Sequence, residues 1–184
     1  MSNYEFEKEL KPSLGLNEAL IWTGKPKQGI ILRNSDIFLI PFSLLWGGFA
    51  FFWESTVLLT DAPFFFKLWG IPFVVVGLYI TIGRFFIDAK RRSNTIYGIT
   101  PDRIIIKSGV FSMDIKSLNI KTISDITLNQ KADNTGTITF GPLDYRSSIM
   151  QGFDWPGVKQ ISRFELIEEV KKVYDKIIEF QRGS

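Results

Sequence analysis

FFFKLWGIPFVVVGLYITIGRFFIDAKRR (Phe64–Arg92) decides how this chain is read. The sixteen residues between Lys67 and Arg84 carry no charge, and Val74, Val75, Val76, Leu78, Ile80 and Ile82 make the run apolar on every face. A helix lying on a soluble core shows a polar stripe instead. The composition then changes at once to Asp88, Lys90, Arg91 and Arg92. An apolar rod followed by a basic collar is the pattern of a membrane span and its cytoplasmic anchor.

Upstream, IFLIPFSLLWGGFAFFW (Ile37–Trp53) is a second uncharged run. As a helix it is roughly 25 Å long, enough to cross a thin hydrocarbon core with its flanks. Ser35 and Asp36 precede it as N-cap candidates. Pro41 is tolerated near the start of a span. Gly47 and Gly48 present a flat patch to a second helix, and Gly70 and Gly77 supply the matching surface. The connection Glu54–Pro63 is short, so the two helices are expected to be antiparallel neighbours. Glu54 and Asp61 are read as loop charges. Lys67 and Arg84 are read as snorkelling residues at span ends.

Lysine and arginine counts set the orientation. Lys25, Lys27 and Arg33 flank the first run; Arg84, Lys90, Arg91 and Arg92 flank the second; the connection has none. The positive-inside bias then puts both termini in the cytoplasm. Three segments are expected: residues 1–34 as a cytoplasmic or interfacial lead, 35–92 as a transmembrane hairpin with spans at about 36–54 and 64–87, and 93–184 as a folded cytoplasmic domain. A buried hairpin in a soluble protein is the bland alternative, and two charge-free runs with basic collars argue against it.

The bulk composition excludes much chemistry. The chain has no cysteine, hence no disulfide framework or thiolate site, and no histidine, hence neither the commonest general base nor the commonest metal ligand. No metal or cofactor is expected. Ser112, Ser117 and Ser124 have no histidine to activate them. Asp102, Asp114, Asp125 and Asp133 fall in turns or on solvent faces. The net charge of +3 belongs to residues 88–184, too small a surplus for nucleic acid.

Residues 1–18 are polar and broken by Pro12 and Gly15, which suggests a loose or partly ordered lead with no signal-peptide pattern. Glu18–Arg33 reads equally as a small hairpin or as an interfacial segment with Trp22 at headgroup level.

After Arg92 the period becomes that of strands. Thr95–Thr100, the turn Pro101-Asp102 and Arg103–Lys107 form a hairpin pattern. Val110–Ile120 alternates with Phe111, Met113 and Ile115 on one face, and its phase slip at Ser117 suggests a bulge. Thr122–Asn129 and Thr137–Phe140 are further strands. Gly141–Ile161 is rich in proline and glycine, and Phe153 and Trp155 are expected to pack inward. Ser162 with Glu165 reads as a capping box. It would open a C-terminal helix with Phe164, Ile167, Val170, Tyr174, Ile177 and Ile178 on its apolar face.

The pattern ITPDRIIIKSGVFS…IKSLNIKTISDITLNQ…GTITFG, followed by one amphipathic helix, resembles the bacterial pleckstrin-homology-like domains, a former domain of unknown function. The opening PKQGIILRNSDIFLIPFSLLWGGF is similar to membrane-anchored members with two transmembrane helices. The resemblance implies an α+β chain: a transmembrane helical hairpin, then a PH-like antiparallel β-barrel or sandwich capped by the C-terminal helix. It implies no activity. Arg103, Lys107 and Lys116 are sparse candidates for lipid headgroups. The expected role is a non-catalytic binding, scaffold or self-assembly protein at the bacterial inner membrane, with the bilayer and a protein partner or further copies as its contacts. An anionic-lipid sensor and an accessory subunit of a transport or export complex are the alternatives.

Overall fold

The computed structural model describes residues 3–33, 35–142 and 161–183. It divides into two compact units, Ile30–Ala89 and the combination of Met1–Gly29 with Lys90–Ser184.

The first unit is helical. Helix α2 covers Asp36–Leu59 and α3 covers Phe64–Leu78 (α1 belongs to the other unit); α3 continues through a π turn at Tyr79–Gly83 into α4, Arg84–Ser93. Both rods, Asp36–Leu59 and Phe64–Ser93, are long and apolar enough to cross a membrane. They meet where side chains are smallest. A Cβ placed on Gly77 would lie 3.0 Å from the Cα of Gly47, so the two backbones touch there. Thr81 Oγ1 donates to the Ser43 carbonyl at 3.2 Å, one helix bonding to the other. At the Asp36 end, Arg84 Nη1 donates to Asp36 Oδ1 at 2.6 Å and Arg33 Nη2 to Asp88 Oδ1 at 3.1 Å. Asp36 Oδ2 also accepts from the Arg33 backbone N–H at 2.6 Å, so this aspartate, rather than Ser35, serves the start of α2.

Glu54 does not fall in a loop. Helix α2 runs on to Leu59 because Ser55–Leu59 contains no breaker, and the hydroxyls of Thr56 and Thr60 turn back onto the Phe52 and Val57 carbonyls. Glu54 is therefore buried in the helix pair, against Gly70.

The second unit holds α1 (Asn3–Leu10) and seven strands: β1 Trp22–Gly24, β2 Ile96–Ile99, β3 Arg103–Ser108, β4 Asp114–Asn119, β5 Ile126–Gln130, β6 Gly136–Phe140 and β7 Arg163–Ile167. Helix α5 (Val170–Arg182) ends it. The strands form two antiparallel sheets, β1-β2-β3-β4 and β5-β6-β7. Among the described residues they remain two sheets, the sandwich of the two forms expected, not a closed barrel. Ile99, Ile104 and Ile106 of one sheet, Ile138, Phe140 and Phe164 of the other, and Val170, Val173 and Ile177 of α5 share one buried core. Phe164 lies at its centre, with ring centroids 4.5 Å from Tyr97, 5.1 Å from Phe140 and 5.5 Å from Trp22.

Three local expectations are corrected, and one alternative left open is decided. The N-terminal lead is not loose: Leu10 is fully buried and, with Phe6, Leu14 and Leu20, covers Ile96 and Ile105 on the outer face of the four-stranded sheet. The segment Glu18–Arg33, left open between two readings, places β1 on that sheet, with Trp22 opposite Ile99. There is no bulge at Ser117; β4 pairs with β3 without slippage from Ser108↔Asp114 to Arg103↔Asn119, and the irregularity lies in β6–β7 between Gly136 and Ile138. Phe111 and Met113 precede β4 and are exposed, as is Ile115 on β4, an edge strand. Finally, the Ser162–Glu165 capping box does not form. Arg163–Ile167 is a strand, with Phe164 opposite Ile138, and the helix begins at Val170 after Glu169 turns with φ 47°. Phe164 and Ile167 fit either period; the open side of β6 decides for the strand. The expected packing of Phe153 and Trp155 lies outside the described residues.

Candidate functional site

The basic collar proves to be divided among several structural tasks. Arg33 and Arg84 hold the ion pairs of the helical unit. Arg92 is fully buried in the sheet unit and donates to the Gly29 carbonyl at 2.6 Å, fixing the chain beyond β1 to the end of α4. Gln28 Nε2 reinforces this by donating to the Arg92 carbonyl at 3.2 Å. Lys25 donates to the Ser93 carbonyl at 3.4 Å and lies 5.0 Å from the Phe6 ring centre. Lys27 pairs with Asp133 at 3.7 Å, and its backbone N–H donates to the Leu166 carbonyl at 2.9 Å. The Asp133 carboxyl is held below its usual range by hydrogen bonds from Thr135. Lys90 is exposed; Arg91 is half-buried.

The three headgroup candidates fare differently. Arg103 is enclosed by the N-terminal segment. Its Nη2 donates to Glu18 Oε2 at 2.5 Å and to the Ser13 carbonyl at 3.0 Å, its Nε to Glu18 Oε1 at 2.8 Å, and its Nη1 to Ser117 Oγ at 3.1 Å. The guanidinium holds the Glu18 carboxyl down at about 2, helped by the Gly15 N–H and the Thr100 hydroxyl. Glu18 in turn raises Arg103. Lys107 pairs with Glu9 at 3.5 Å. Lys116 is exposed and lines a small cavity of about 50 Å³ with Arg91, Tyr97, Ser108, Arg163 and Glu165. Burial pushes the Tyr97 phenol up, and its oxygen accepts from the Glu165 N–H at 3.0 Å.

Among the packing glycines, Gly47 meets Gly77 and Gly70 meets Glu54, whereas nothing lies within 4 Å of a Cβ placed on Gly48. Glu54 is buried with neither carboxyl oxygen hydrogen-bonded among the described residues.

A cleft of about 1090 Å³ lies in the sheet unit. The chain from Trp22 to Gln28 forms one wall, and Ile167–Glu169 with the first turns of α5 form the other. Lys25, Lys27, Lys172 and Lys176 line it, offset by Glu7, Glu168 and Glu169. Such a mixed lining suits a polar protein surface better than a compact anion. Lys172 and Glu168 were legible only as a solvated helix face, because the opposite wall comes from β1, some 145 positions away. Among the described residues no three of His, Cys, Asp or Glu come together to hold a metal ion.

A comparison with curated proteins gives no match. Among solved structures, the chain is similar to a DUF1696 family protein with a pleckstrin-homology domain from Shewanella loihica, at 12% identity over 98% of each chain with a TM-score of 0.41. The bacterial PH domain family matches residues 38–176, from the first turn of α2 into α5. Strands β2 to β7, the first half of the C-terminal helix and nearly all of the apolar helices thus fall within one family match, and the chain belongs to the bacterial PH domain family.

Proposed function

We propose that this chain is a membrane-anchored PH-like module that binds a protein partner, or further copies of itself, at the cytoplasmic face of the bacterial inner membrane, without catalysing a reaction. The exposed apolar hairpin carries the reading. Only 17% and 11% of the most apolar stretches of its two rods are buried, and Phe38, Leu45, Phe52 and Phe64 are each more than half exposed. In water that surface would be a very large apolar patch; in hydrocarbon it is ordinary. Family membership supports binding over catalysis, and the cleft beside Lys172 has room for a partner's side chains. Lipid sensing through Arg103 and Lys107 is disfavoured, since Glu18 and Glu9 already engage them.

A photo-cross-linker at Lys172, in the full chain within native membranes, tests the reading. Discrete protein adducts are expected there and not at Asp102 on the far turn. Equal yields at both positions would overturn it.

One observation favours a second reading. Among the described residues Glu54 is a buried carboxyl without a hydrogen-bond partner, in a helix long enough to span, and such groups mark functional positions within membranes. The hairpin would then be the working part of a transport or export complex. Cross-links from α2 to other membrane proteins would favour it, and self-contacts alone would reject it.

A further inference from the structure

Tyr97 on β2 has a buried hydroxyl that uses only one of its two hydrogen-bonding roles. The side chain is 3% exposed, and its oxygen accepts from the Glu165 backbone N–H at 3.0 Å. Among the described residues nothing accepts the hydroxyl's own proton. The phenol keeps that proton at neutral pH, because burial pushes its ionisation up. A buried O–H donor without an acceptor is destabilising. Tyr97 lines the small polar cavity of about 50 Å³, so there is room beside it for an acceptor that the chain does not supply.

The charges around the cavity say what kind of acceptor. Arg91, Lys116 and Arg163 line it with Glu165 as the one acid, a surplus of two positive charges. All four belong to the sheet unit. Arg163 and Glu165 lie two apart on β7 and so share a face; their side chains are 18% and 13% exposed and meet at 3.5 Å. Lys116 stands in one cross-strand row with Ile106 and Tyr97, two strands from the phenol. Arg91 comes from the last turn of α4. Water satisfies a hydroxyl but leaves this surplus uncompensated; an anion answers both. A water-sized group needs about 10–15 Å³, so the cavity holds about four, the size of a carboxylate with one methylene. A phosphate ester is larger and brings up to a second negative charge against Glu165.

We propose that this cavity is a carboxylate-binding site that seats an aspartate or glutamate side chain of a protein partner, with the Tyr97 hydroxyl as donor and Arg163, Arg91 and Lys116 as counter-charges. This rests on the protein-binding reading above and adds the chemistry that the partner brings. The site is built for one acidic anchor, in contrast to the mixed lining of the cleft beside Lys172.

Acetate, the side chain of aspartate in isolation, is the probe. The full chain carrying tyrosine labelled with ¹³C at Cζ is titrated in detergent micelles at constant ionic strength, with the Tyr97 signal assigned through Tyr97→Phe. That signal is expected to shift saturably, with a midpoint severalfold higher in Arg163→Gln and in Lys116→Gln and unchanged in Lys121→Gln. Lys116 is exposed, so its replacement keeps the test valid should Arg163→Gln not fold. No shift, or the same shift with chloride, would overturn the proposal. A midpoint for inorganic phosphate well below that for acetate would also overturn it, in favour of a phosphate site. A photo-cross-linker at Ser108, in the full chain within native membranes, identifies the source of the carboxylate. A protein adduct that weakens in Lys116→Gln is expected. Adducts at Lys172 without one at Ser108 would overturn the acidic anchor and leave the protein-binding reading standing; adducts at neither position would overturn both.

Discussion

Glu18 and Arg103 meet in a two-pronged ion pair across 85 positions of sequence, with Nη2 2.5 Å from Oε2 and Nε 2.8 Å from Oε1. The pair closes the N-terminal segment over the turn between β2 and β3, where the Thr100 hydroxyl also donates to Glu18 at 2.8 Å. Because Glu18 is held at about 2 instead of the ordinary 4.5, it stabilises the folded state fully above pH 4.5. That contribution is lost as pH falls from 4.5 toward 2. Replacing Glu18 by Gln should lower the unfolding free energy by about 2 kcal/mol at pH 7. It should also flatten the loss of stability between pH 4.5 and pH 2, measured by urea unfolding in micelles across that range.

Arg92 makes a contrasting prediction within the collar. Its guanidinium is buried and donates to Gly29, while Lys90 two residues earlier is exposed. Arg92→Ala should destabilise the sheet unit by about 2 kcal/mol or more, since a buried charged hydrogen bond is lost and a carbonyl is left without its donor. Lys90→Ala should change stability by less than about 0.5 kcal/mol. Thermal unfolding followed by near-ultraviolet circular dichroism distinguishes the two.

The contact between Gly47 and Gly77 leaves no room for a side chain. Gly77→Leu should force α2 and α3 apart at a cost of about 1–3 kcal/mol. Disulfide formation between cysteines placed at Ser43 and Thr81, which touch in the folded hairpin, should fall accordingly. The same substitution at Gly48, whose Cβ position is open, should leave that cross-link intact.

How far each element was legible depended on its length and on the distance to its partner. The hairpin is legible because two runs of sixteen and seventeen uncharged residues admit few other readings. The β2–β3 hairpin is legible because Pro101-Asp102 separates two β-branched runs. Strand β7 was not: Phe164, Ile167 and Val170 fit a helix as well as a strand, and only the open side of β6 selects between them. Nor was β1, three residues long and paired with a strand more than seventy positions away. Of the candidate site, the basic residues were visible, but their engagement was not. Nothing local says that Glu18 reaches Arg103 or that Arg92 turns inward. The exposure of Phe111 was not legible either: it alternates with Met113 and Ile115 as a strand face would, but only Ile115 lies on a strand.

The central claim is that the hairpin crosses the inner membrane with the sheet unit inside the cell. A membrane-impermeant maleimide applied to intact cells tests it on the cysteine-free background, with single cysteines at Asp61 in the connection and at Lys131 between β5 and β6. The account predicts labelling at 61 in intact cells and at 131 only after permeabilisation, with the chain retained in membranes through an alkaline carbonate wash. Release of the chain by carbonate, with both positions labelled only after lysis, would contradict it.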